Sequence, residues 1–307
     1  MQNLRVVTPA DRTDEVLRVL EDTPGVAHIV VMRGAAVRPE GDVVDAVVVR
    51  ECANDVLSGL RSLELTHDGA VTMQPVETVL SDAARSAEKD APGDPDDAIV
   101  WDELIGRTRE ESSFTITFVA FLSIALLLAA IGVVTDSPVT IVGAMVVGPE
   151  FGPLAALSVG LVRRQRSLVR RSLLALLVGF PTAMVITAIG AVVAESLGWI
   201  APDSIDDLQQ VDFIYQVGPF SFIIALLAGA AGMLALVSAK SAALVGVFIS
   251  VTTVPAAGFA VVAATVGSWR IAALSAGQLG INLVGIVVAA TFVLSLHRRS
   301  AAGRAGG

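Results

Sequence analysis

The sequence predicts a polytopic α-helical membrane protein of six spans, arranged as a 3+3 inverted repeat with broken helices. An N-terminal cytoplasmic α+β domain of ferredoxin-like (βαββαβ) order precedes them. Three observations carry that prediction. Hydrophobic residues make up 54% of the 307-residue chain and mean hydropathy is +0.72, above what a water-soluble domain carries. Six apolar stretches, roughly 114–134, 138–161, 168–194, 217–238, 242–266 and 274–296, each have the length a bilayer requires. Charge is also segregated: residues 1–112 hold 11 Arg/Lys against 23 Asp/Glu, whereas residues 113–307 hold 10 against 7.

Along the first 80 residues, apolar strands and amphipathic helices alternate. Residues 4–8 read as a strand, and Val16, Leu17, Val19 and Leu20 mark a helix over 11–22. Strands are predicted at 28–32 and 43–49, a helix at 54–63 with Val56, Leu57, Leu60 and Leu63 on one face, and a last strand at 70–76. This order is the split βαβ arrangement. Small domains of this layout resemble ACT-type regulatory modules, so a role in ligand binding or oligomerisation is expected by analogy. Residues 81–97 are acidic, with Pro and Gly, and read as a solvated linker. Residues 98–111 place Trp101 among apolar residues, which suits an interfacial helix before the spans. The resulting domains are 1–80, the linker and interfacial helix 81–112, the six-span region 113–297 and a tail 298–307.

Topology follows from the loops. Arg163, Arg164, Arg166, Arg170 and Arg171 cluster between the second and third spans, and Arg298, Arg299 and Arg304 close the chain. Asp203, Asp206, Asp207 and Asp212 lie between the third and fourth. The positive-inside bias puts the arginine loop, both termini and the N-terminal domain in the cytoplasm, in a cytoplasmic (inner or plasma) membrane. The arginines set this topology and contact anionic lipid, or they dock the acidic domain as a gate.

The centre of the chain is 137–161, SPVTIVGAMVVGPEFGPLAALSVGL. Its middle carries Gly148, Pro149, Glu150, Gly152 and Pro153, and two prolines there exclude an uninterrupted helix. Broken backbone at membrane depth requires shelter by protein or a wet cavity, and so does an ionisable side chain. Glu150 is therefore read either as a structural carboxyl bonded to freed backbone or as a proton or cation site. The fifth span repeats the pattern: Val142-Gly143 matches Val245-Gly246 at an offset of 103, and Pro255 falls one residue out of register with Pro153. Three spans per unit invert the second copy, and inverted repeats with broken helices point to a midplane site. Ser250, Thr252 and Thr253 are expected to satisfy the backbone broken before Pro255. Gln278 and Asn282 share a face of the sixth span and are expected to bond between helices. Asp136 and Lys240 occupy matching span ends and read as interface or gating charges, while Gly229 and Gly232 allow close helix packing.

Several classes are set aside. The acidic N-terminal region opposes nucleic acid as a partner. Cys52 is the single cysteine, and His28, His67 and His297 are scattered, so no disulfide framework, metal site or catalytic constellation is expected. No cofactor and no enzyme activity are expected.

The run TDSPVTIVGAMVVGPEFGPLAALSVGLVRRQ resembles the hallmark of a bacterial and archaeal membrane family, domain of unknown function 389, also called an uncharacterised hydrophobic domain family. AGAAGMLAL, SAALVGVFISVTTVPAAG and QLGINLVGIVVAA resemble its second half. The resemblance implies a multi-span membrane protein and brings no activity. Two departures stand out: Glu150 occupies a position that is commonly apolar in the family, and TTVPAAG replaces a double-proline segment. The expected function is a transporter or channel-like protein for a small solute or ion, in a homo-oligomer, with the N-terminal domain regulating or assembling it. The alternative is a non-transporting sensor or scaffold.

Overall fold

A computed structural model describes residues 1–65, 67–76, 78–91, 98–200, 214, 218–238 and 252–304 of the chain. It divides into two compact units, Met1–Glu103 and Leu104–Gly307.

The first unit is built on a four-stranded sheet. Its elements run β1 (Gln2–Thr8), α1 (Thr13–Glu21), β2 (Val26–Val37), β3 (Glu40–Val48), α2 (Ala53–Ser62) and β4 (Ala70–Pro75). Spatial order is β2-β3-β1-β4, and every neighbouring pair is antiparallel. Alternation in β1 and β3 sends Leu4, Val6, Val44, Ala46 and Val48 to one face, where they meet Val16 and Leu20 of α1 and Val56 and Leu60 of α2 in one core. On the other face, Arg5 stands opposite Asp45 in register and donates two 2.8 Å bonds to its carboxylate. Strand β2 runs longer than the expected 28–32, because its hairpin with β3 continues to the Val37–Glu40 pair. The first part of the acidic stretch 81–97, read as a solvated linker, instead forms helix α3 (Asp82–Asp90), where the Ser81 hydroxyl caps the Ala84 N–H and Ala84 is buried. Helix α4 (Trp101–Glu111) follows.

The second unit is helical. Helix α5 (Ile116–Val134) leads into α6 (Pro138–Val147), α7 (Phe151–Val162), α8 (Arg166–Ser196) and α9 (Pro219–Val237). The described chain resumes with α10 (Thr253–Thr265) and α11 (Trp269–Arg304). Four of these, α5, α8, α9 and α11, are long and apolar enough to cross a membrane. The pair α6–α7 passes the same test together but is bent by 50° at its break. Six crossings were expected, and the described residues hold these four plus one bent pair. Helix α10 alone is too short, and most of the first half of the expected fifth span, with Ser250, lies outside the described residues, as do Lys240 at the expected end of the fourth span and Asp203, Asp206, Asp207 and Asp212.

The two halves of this unit keep one register. Helices α5 and α9 both have 19 residues, and their first and last residues are 103 positions apart. The same spacing separates the ends of α7 and α10 and the starts of α8 and α11. Connecting turns agree as well. Arg163 N–H bonds Val159 O and Gln165 N–H bonds Gly160 O around Arg164 at φ +54°. At the equivalent place, Val266 N–H bonds Val262 O and Ser268 N–H bonds Ala263 O around Gly267 at φ +81°. Both are helix ends closed through a left-handed residue. Helix α7 packs on α11 and α10 packs on α8, so each half reaches across to the other. The spacing does not extend to every contact: α5 has an extensive seam with α10 that α9 and α7 do not match among the described residues. Phe259, Val133, Ile141 and Met145 fill the core between α5, α6 and α10.

Candidate functional site

The site is assembled where α6 ends. Ser137 caps α6 by accepting the Thr140 N–H, and Pro138 occupies its first turn, where its missing N–H costs nothing. Eleven residues later Pro149 stops the helix. It offers no N–H and disfavours helical backbone in the residue before it, and Gly148 is extended at φ −63°, ψ 128°. Glu150 returns to helical angles, and its carbonyl accepts the first α7 bond from Leu154 N–H at 3.3 Å. Pro153 falls in the first turn of α7, where it removes a donor that would otherwise be unpaired.

The Glu150 side chain folds back over Gly148. A Cβ at 148 would collide with Glu150 Oε2 and with Val254 Cγ2, so only glycine admits the carboxyl there. Glu150 is 6% exposed, and its Oε1 accepts the hydroxyl of Thr253, the first residue of α10, at 2.6 Å. The neighbouring Thr252 Oγ1 accepts Asn282 Nδ2–H at 2.8 Å, and Asn282 Oδ1 accepts Gln278 Nε2–H at 3.3 Å. A line of polar groups thus runs from α11 across the start of α10 to the break between α6 and α7. Thr253, Gln278 and Asn282 are buried. Glu150 Oε2, Gln278 Oε1 and Ser275 Oγ have no hydrogen-bond partner among the described residues. Described residues of α5, α6, α7, α9 and α10 include no Lys, Arg or His, so no cation on those helices faces the carboxyl. A cavity of about 400 Å³ opens beside the break, lined by Gly148, Pro149, Gly152, Phe118 and Leu236, although Glu150 does not line it. Close approach at Gly152 is enforced by Glu111, whose Cβ would lie 2.7 Å from an added methyl. Arrays of hydroxyl, amide and carboxyl oxygens of this kind suit protons and hard cations. No group of three or more His, Cys, Asp or Glu that could hold a metal occurs among the described residues.

The structure brings together Gly148, Glu150, Thr252, Thr253, Gln278 and Asn282, with Pro149, Gly152 and Pro153 shaping the break and Pro255 in the first turn of α10. Asp136, at φ +46° in the α5–α6 turn, and Arg163, Arg164 and Arg166, at the opposite end of α7, lie at helix ends away from it. Gly229 lets α9 approach α11 closely: an added Cβ would lie 2.6 Å from Ile286 Cα. Sequence reasoning missed the Glu150–Thr253 bond, having assigned the threonines to the backbone near Pro255. The signal was present, since the two residues are 103 apart, the same offset as the repeated Val-Gly pairs.

Helices of this length and composition, with one bent pair, define the class: a polytopic helical membrane protein. Within it, residues 145–288 match the family model described as Domain of unknown function (DUF389), the family that the sequence motifs resemble. No curated protein and no solved structure matches the chain.

Proposed function

We propose that the protein is a transporter or channel-like protein for a small solute or ion, with Glu150 and its hydroxyl and amide neighbours lining the path. The observation that carries this reading is a buried carboxyl at a helix break, held by the hydroxyl of Thr253, 103 residues further on. Discontinuous helices at corresponding positions mark midplane sites in transporters built from inverted repeats. The constant 103-residue register of helix bounds and turns supports such a 3+3 repeat of six spans. A residue pair related by the repeat and in direct contact would sit on the axis relating the halves. Strand order β2-β3-β1-β4 supports the ferredoxin-like reading of residues 1–80. The arginine clusters support cytoplasmic termini in an inner or plasma membrane. The protein acts without a cofactor, is no enzyme, and works as a homo-oligomer.

The test uses purified full-length protein in liposomes and a panel of proton, sodium, potassium, chloride and small-metabolite fluxes. A flux absent from empty liposomes, cut at least tenfold by Glu150→Gln in a variant that still elutes as the native species, is the expected result. A panel with no protein-dependent flux would end the transport reading. One observation favours a sensor instead: the first unit holds a cavity of about 310 Å³ lined by Leu57, Leu60, Arg61, Val71 and Met73. If a metabolite raised the melting temperature of the full chain and Leu57→Trp abolished that shift, with no flux detected, the sensor reading would replace this one.

A further inference from the structure

The end of the membrane unit opposite the α5–α6 turn carries a groove of about 620 Å³ between the close of α7 and the first half of α8. Its floor is apolar, formed by Leu161, Leu174 and Leu177, which are 47%, 48% and 70% exposed. Its rim is cationic, formed by Arg164, Arg166 and Arg170. None of the three forms an ion pair among the described residues, where the acidic partners of salt bridges are taken by Arg5, Arg12, Arg33, Arg61, Arg85 and Arg107.

The position of the arginines is electrostatically unfavourable as it stands. Helix α8 begins at Arg166, has no acidic residue in its first turn, and is preceded by Gln165, whose side chain makes no capping bond. A helix N-terminus carries partial positive charge and favours anions, so basic residues there add like to like. An external anion reverses the sign of that interaction, and a phosphate suits it, since guanidinium forks pair with its oxygens in two-point geometry. Leucines directly beneath require a ligand that is apolar below its charge. Only an amphiphile satisfies both halves of the groove, and the surrounding bilayer supplies one.

We propose that this groove binds an anionic glycerophospholipid, its phosphate held by Arg164, Arg166 and Arg170 and one acyl chain lying along Leu161, Leu174 and Leu177. Basic pockets between membrane helices hold lipid headgroups in this way. The site is independent of whether the chain moves a solute. A zwitterionic lipid fits less well, because its own cation meets the arginine rim.

The test is native mass spectrometry of the full-length protein titrated with dioleoyl-phosphatidylglycerol or dioleoyl-phosphatidylcholine. Phosphatidylglycerol is expected to bind at least tenfold more tightly, with each of Arg164→Gln, Arg166→Gln and Arg170→Gln weakening it about fivefold. Arg171→Gln, exposed on the same helix but outside the groove, should change it less than twofold. Should the glutamine variants fail to fold, Arg→Lys at the three positions keeps the charge, loses the two-point geometry, and should retain a weaker preference. Equal binding of the two lipids overturns the proposal. So does an effect of Arg171→Gln as large as that of Arg170→Gln, which would mean diffuse charge. Displacement of the lipid by millimolar inorganic phosphate would also overturn it, leaving an ion site without an acyl groove.

Discussion

Asp42 and Glu150 are both buried carboxyl groups, 2% and 6% exposed, and their surroundings could hardly differ more. Asp42 accepts the Gly34 N–H at 2.8 Å, the Thr13 hydroxyl at 2.7 Å and the Arg33 guanidinium at 2.8 Å. Glu150 has one hydroxyl, no Lys, Arg or His on α5, α6, α7, α9 or α10, and one oxygen with no partner among the described residues. Burying a charge is costly unless it is paired and hydrogen-bonded. Asp42 meets that requirement and ties β2, β3 and α1 together, which is a structural task. Glu150 does not meet it, and a buried polar group left incompletely served is where a structure keeps room for function.

The sharpest way to break this contrast is at Glu150 itself, where Glu150→Gln should abolish flux in liposomes while leaving the fold intact. A comparable loss of melting temperature and of flux would make Glu150 a second structural carboxyl. Gly148→Ala comes next. The new methyl has no space between Glu150 Oε2 and Val254 Cγ2, and overpacking of this kind costs roughly 1–3 kcal/mol. Thermal unfolding in detergent should register it, and the double variant Gly148→Ala/Glu150→Ala should recover part of the loss. Thr253→Val keeps the shape but leaves Glu150 Oε1 without its donor, at a cost of about 1–3 kcal/mol, read from the same unfolding curves.

On the other side of the comparison the readout is pH. The Gly34 N–H above all, then the Thr13 hydroxyl and the Arg33 charge, hold Asp42 below the usual carboxylate range, against the opposing effect of burial. Its folded pKa is depressed, so its contribution is complete above the unfolded value of about 4 and is lost as pH falls through the folded value. Asp42→Asn should therefore lower the melting temperature at pH 7 and shrink the difference between pH 7 and pH 3. An undiminished acid dependence in that variant would assign the effect elsewhere. The smallest effect concerns Cys52, whose thiol is pushed up to about 11 by burial, with Asp55 and Glu51 adding to it. Alkylation of native protein by iodoacetamide at pH 8 should be slow and should accelerate on denaturation.

Much of the site was legible in single residues. Pro149 and Pro153 announce a break because the chemistry of proline is local, and an acid among apolar residues is conspicuous in any sequence. The β-α-β-β-α-β element order was equally legible, since alternation with period two and period 3.6 is written into Leu4, Val6, Val16, Leu20, Val56 and Leu60. Helix α3 was not, because Pro, Gly and acidic content around it masks a short segment that starts on the Ser81 cap and buries only Ala84. The polar line from Gln278 to Asn282 to Thr252, and the Thr253 bond to Glu150, spans separations of 30 and 103 residues. Apolar helices share one composition whatever they pack against, so their sequences do not name their partners.

By itself the sequence determined where the long apolar helices run, where one must stop, and that their composition suits a bilayer, because backbone geometry and hydration act residue by residue. Only the tertiary structure decided that the Glu150 carboxyl meets the Thr253 hydroxyl 103 residues further on, and that Arg164, Arg166 and Arg170 rim an apolar groove. Those depend on how helices pack, and packing is a property of pairs of surfaces that no single segment carries.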